Sequence, residues 1–156
     1  MKLSKTRLTA AHWDWMASAR TEDGTVVWAE ELPTEPQVDA AQKRLGCTFD
    51  PAYVRFLREF GGALIGADPL YGLYVASAMG DDEDVVSATL HFRSDKGLRV
   101  DDWYVVSNDG RGGPIGVAPD GRVRLSDHGE VVPVADSFPT YLAQRIHKAD
   151  YDRRNR

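Results

Sequence analysis

The sequence predicts an α+β domain. Capped, proline-led helix signatures lie at residues 34–46, 50–62 and 136–149, and short β-type runs punctuated by glycine turns fill residues 103–134. A third observation sets the scale. At 156 residues, 42% hydrophobic and 28% charged, the chain has the length and composition of one domain with a core of its own.

In "TEPQVDAAQKRLG", Thr34 is the N-cap, Pro36 sits in the first turn and Gly46 is the stop, with Val38, Ala41 and Leu45 on one face. In "DPAYVRFLREFGG", Asp50 caps, Pro51 opens the helix and Gly61 and Gly62 end it. Tyr53, Phe56, Leu57 and Phe60 recur at i, i+3, i+4 and i+7, while Arg55, Arg58 and Glu59 point outward. In "DSFPTYLAQRIHKA", Asp136 or Ser137 is the cap, and Phe138, Tyr141, Leu142 and Ile146 form the buried face. The leading acids of "DDEDVVSATLHFRS" suit the positive end of a helix dipole, although its Val-Val pair and its Thr favour strand; it is read as helix. In "HWDWMAS" the aromatics fit a strand as well as an irregular plug, and the segment stays unassigned.

"TVVWA" and "YGLYVA" read as strands. The run at 103–106 is apolar on both faces, as in a central strand, and Arg122, Val123, Arg124 and Leu125 alternate like a half-exposed one. Ile115 with Val117, and Val131 with Val134, mark two more. The glycines of "VVSNDGRGGPIGVAPDGRVRLSDHG" raise the question of a phosphate-binding loop. Such a loop follows a strand and opens a helix, because the helix N-terminus supplies the oriented N–H groups. Here Pro114 and another strand follow Gly113, and no Lys-Ser or Lys-Thr follows these glycines. Asn108-Asp109-Gly110 and Pro119-Asp120-Gly121 are hairpin turns. The stretch is a β-meander.

The ordered set of "PAYVRFLREFGG", "WYVVSNDGRGGPIGVAPDGRVRLSDH" and "VADSFPTYLAQRI" resembles the SUKH superfamily, in which a proline-led helix with "Y..FL" ends in a glycine-rich or Asn-Gly turn, and a meander and a capped C-terminal helix follow. The match runs from about Thr34 to Ile146, and Gly61-Gly62 stands where Asn-Gly is commoner. The resemblance implies a single domain over residues 1–147, of which 1–33 lie outside the matched part, with a curved, mostly antiparallel sheet flanked by helices. Residues 148–156 are expected to form a basic, flexible tail. It further implies a bacterial immunity protein that binds a cognate toxin, often a nuclease or another nucleotide-directed enzyme, and occludes its active site or a surface beside it. Fungal relatives imply the alternative, a regulatory or scaffold module. The family carries no catalytic motif to transfer, so no enzyme, cofactor or metal is expected.

Charge supports an acidic inhibitor. The net charge is −5, and the residues from Arg145 onward carry +3, which leaves −8 on the rest. That balance argues against direct nucleic-acid or membrane-surface binding. No apolar run has the length of a signal peptide or a membrane span, and the chain is read as cytoplasmic. Asp81, Asp82, Glu83 and Asp84 are the densest charge; they read either as a solvated helix start or as a steering patch for a basic toxin. Together with the turn residues Asn108, Asp109 and Arg111 they are the expected toxin-binding set. His12, His91, His128 and His147 have no metal-ligand spacing, and Asp127-His128 beside Gly129 reads as a turn rather than an acid–base pair. The single cysteine, Cys47, reads as a buried small hydrophobe, and Tyr71, Tyr74, Trp103 and Tyr104 read mainly as core.

Overall fold

Among the described residues, four of the α-helices start where a side chain accepts from one of the first free N–H groups. The computed structural model describes residues 3–22, 24–76, 79 and 83–155. Its first helix, α1 (Ala10–Glu22), is the segment whose aromatics fitted no pattern. His12 is fully buried there; its Nδ1 accepts from the Thr9 N–H at 3.0 Å, so Nε2 donates to the Ser4 carbonyl at 2.7 Å. An imidazole thus fills the place that Glu or Gln takes in a capping box. That box is complete in α2 (Glu35–Leu45), where Thr34 and Gln37 bond reciprocally. Asp50 caps α3 (Pro51–Phe60), Asp84 caps α4 (Val85–Ser94), and Ser137 caps α5 (Phe138–Arg154).

The strands form two antiparallel sheets. One has the order β1 (Val26–Trp28), β2 (Ala63–Ile65), β3 (Asp68–Leu70). The other is the meander β4 (Tyr104–Asn108), β5 (Pro114–Val117), β6 (Val123–Asp127), β7 (Glu130–Ala135). This meander, with five α-helices among the described residues around the two sheets, is the α+β single domain expected. Register shifts interrupt β4–β5 between Val105 and Ser107 and β6–β7 between Val123 and Arg124; such bulges bend a sheet locally. β7 is the outer strand, with Pro133 opposite Arg124. The sheets meet edge to edge at β3 and β4, where the Tyr71 N–H donates to the Val106 carbonyl (2.8 Å) and Ser107 Oγ donates to the Pro69 carbonyl (2.6 Å).

The core is centred on α3. Tyr53, Phe56, Leu57 and Phe60 are 0–2% exposed and face Phe138, Tyr141, Leu142 and Ile146 of α5. The Tyr53 ring lies between Phe49, Tyr104 and Phe138, at centroid distances of 5.2, 5.3 and 5.1 Å. Each such side chain contributes about 1.5–3 kcal/mol by leaving water.

Two expectations are corrected. "YGLYVA" is not a strand. Gly72 is pressed so close to the Gly61 carbonyl that a Cβ there would collide, and the Tyr74 N–H bonds the Gly61 carbonyl rather than a ladder partner. The strands lie just before it, in the β2–β3 hairpin. The basic segment after residue 147 is not a flexible tail either, because α5 continues to Arg154. Ala149 and Asp150 are buried, and Asp150 accepts from Trp15 Nε1 (3.0 Å) and pairs with Arg153 (3.2 Å) and Arg154 (3.1 Å). Cations in a last helical turn also meet the negative end of the dipole.

Candidate functional site

The expected binding residues come from two distant stretches, and Tyr71 is what draws those stretches together. Its N–H holds β4 through Val106, and the next carbonyl, of Gly72, accepts from the Val85 N–H at 2.7 Å, which fixes the start of α4. Its own carbonyl accepts from Tyr53 Oη (2.5 Å), anchoring it to the core, and its hydroxyl accepts from Asn108 Nδ2 (2.6 Å) at the end of β4. Thr89 adds a second tie, its Oγ1 accepting from the Val105 N–H at 2.9 Å. The result is a depression of about 290 Å³ with Glu83, Ala88, His91 and Phe92 on one wall and Asn108 and Gly110 on the other.

Glu83 is exposed and its carboxylate bonds to no described residue. Asp84, by contrast, is a cap: one carboxylate oxygen accepts from the Ser87 N–H and the other from Ser87 Oγ, both at 2.9 Å. Asp81 and Asp82 lie outside the described residues. Asn108 Oδ1 accepts from the Gly110 N–H (2.8 Å), and Asp109 Oδ1 accepts from the N–H groups of Arg111 (2.7 Å) and Gly113 (2.8 Å). Desolvation pushes the Asp109 carboxyl up, but those two N–H groups and the Arg111 charge outweigh it and hold the group below the usual carboxylate range. Gly110 and Gly112, at φ 80° and 88°, give the turn the left-handed backbone that such bonding needs. Arg111 projects into solvent. Of the expected set, Glu83 and Asn108 share the depression, Arg111 stands exposed on the adjoining turn, and the carboxylates of Asp84 and Asp109 are engaged in local structure.

Sequence reasoning missed Tyr71 as the organiser, and missed His91 and Phe92 as a wall. Once α4 is started at Asp84, the spacing of Ala88, His91 and Phe92 puts them on one face, so the cap was the usable signal.

The remaining candidates fall elsewhere. Asp127 and His128 bond at 2.8 Å on the β6–β7 turn, with the imidazole 91% exposed and His128 at φ 54°. Cys47 is half-buried rather than buried, with Arg93 Nη2 3.3 Å from its sulfur. Tyr71, Trp103 and Tyr104 are core residues, whereas Tyr74 is half-exposed and accepts from Gln37 Nε2 at 3.3 Å. Among the described residues there is no group of three His, Cys, Asp or Glu placed to hold a metal, and no helix long and apolar enough to cross a membrane.

A family model described as "SMI1 / KNR4 family (SUKH-1)" matches residues 32–144. Among curated proteins, none matches the chain.

Proposed function

The chain belongs to the SMI1 / KNR4 family (SUKH-1), and from that premise we propose that it is an immunity protein, binding and neutralising a cognate toxin by covering the toxin's active site or a surface beside it. The family's domains are generally non-catalytic immunity or regulatory modules. The observation that carries the reading is the convergence of Glu83, at the start of α4, and Asn108, at the end of β4, on one depression, with Arg111 exposed on the turn next to it. A free carboxylate beside fixed amide groups suits a basic, hydrogen-bonding partner. The acidic balance of the chain favours the same encounter.

The test is binding to the toxin encoded beside this chain. Calorimetry with the purified pair should give one tight site, and toxin activity should fall as that site fills. The double variant Glu83→Lys, Arg111→Glu should weaken binding about a hundredfold while leaving the thermal melt unchanged. Unchanged affinity in that variant places the interface elsewhere. Several weak partners and no tight one favour a scaffold instead.

A further inference from the structure

A second cavity, of about 350 Å³, opens at the other end of β4, where the α2–α3 connection meets the β5–β6 turn. Its size is at the lower end of those that take small ligands or single anchoring side chains. The floor is apolar, formed by Tyr104, Val117 and Ala118, each 3–4% exposed, with Cys47 beside them. Its charged lining residues are Asp50 and Asp102, and among the described residues no lysine, arginine or histidine lines it. Arg93, behind Cys47, is engaged by the Trp103 carbonyl at 2.8 Å and the Cys47 sulfur at 3.3 Å, and Arg124 by Asp120 at 2.8 Å.

We propose that this cavity binds the side chain of an arginine or lysine presented by a partner protein. Such a side chain is an aliphatic stem with a charged head. The stem matches the floor of Tyr104, Val117 and Ala118, and the head matches the two carboxylates. Asp102 is exposed and its carboxylate has no partner among the described residues. Asp50 uses Oδ1 to cap α3 by accepting from the Ala52 N–H at 2.8 Å, and its second oxygen accepts from no described residue. The positive end of the α3 dipole opposes a cation at Asp50, but that half-charge is smaller than the full charge of the carboxylate and is already capped by it. Asp102 lies off the helix. The site does not require the partner to be a toxin, so its fate is separate from that of the face around Glu83.

The full chain should be titrated with N-acetyl-arginine amide and, in parallel, with N-acetyl-citrulline amide, which has the same shape and no charge. Amide NMR shifts should be saturable and confined to Gly46, Cys47, Ala118 and Gly121, with a Kd of about 1 mM, as befits one side chain freed from its protein. Cys47 is the only cysteine, so its reaction with a disulfide reagent reports on this one position and should slow about twofold or more at saturation. Asp102→Asn should weaken binding about fivefold without moving the thermal melt. Equal shifts from citrulline, undiminished binding by Asp102→Asn, or no saturable shift at these residues would each overturn the proposal.

Discussion

Phe56 has no exposed surface and stacks between Tyr53 and Phe60, each 6.0 Å away. Phe56→Ala should therefore cost about 3–5 kcal/mol in chemical denaturation, a large part of a small domain's stability. Arg55, one residue away, looks idle in the sequence because it points outward. The structure gives it two contacts: its guanidinium lies 4.3 Å from the Trp13 ring centroid, and it pairs with Glu59. Arg55→Ala is accordingly expected to cost about 0.5–1 kcal/mol rather than nothing. Asp109 predicts a pH dependence. Its folded pKa lies below the ordinary 3.8, so its contribution is complete above that value and is lost as pH falls through the depressed one. The stability gap between parent and Asp109→Asn should thus be widest at neutral pH and close below about pH 4. A gap that widens on acidification would show the carboxylate is not held by its turn. Residues on a strong periodic face were legible in sequence. A partner 42 residues away, as Trp13 is from Arg55, was not, because periodicity describes one element at a time.

Helices with local punctuation were the legible elements. α2, α3 and α5 each carry a cap and an early proline, signals that act through the first turn and need no tertiary context. α1 lacks them: the N–H before it is bonded by His12, and the buried residues among its described side chains, His12, Trp13 and Met16, do not repeat as a broad stripe. The three-residue strands β2 and β3 are too short to show alternation, so "YGLYVA" beyond them took the assignment. The end of α5 was misjudged for another reason. Five basic residues from 145 onward look unpackable until Asp150 is seen beneath Trp15, Arg153 and Arg154. Deleting residues 148–156 should destabilise the domain by about 2 kcal/mol or more, since it exposes the surface under Ala149 and leaves Trp15 Nε1 without its acceptor. Equal denaturation midpoints for the full and shortened chains would show that this last stretch of helix holds nothing.

For the whole molecule, the proposed binding role makes charge the first thing to test. Changing Asp81→Asn, Asp82→Asn and Glu83→Gln together, while keeping Asp84 as the cap of α4, should slow association with a basic toxin about tenfold at low ionic strength. The difference should shrink as salt screens the parent, and dissociation should change less. Stopped-flow mixing at two salt concentrations reads both; equal rates at low salt would make these acids a solvated face. The candidate site was half legible: its residues could be named from charge and turn chemistry, but their meeting depends on Tyr71 bridging α3, α4 and β4, a long-range arrangement that no local pattern encodes. Pro133 on the outer strand has a consequence of a different kind. A proline offers no N–H to a neighbour on either side, so a strand laid along β7 from another chain would find its row of hydrogen bonds broken midway. Polymer growth from that border is discouraged even when the chain is abundant. A partner protein laid along that border would likewise not be stitched into the sheet.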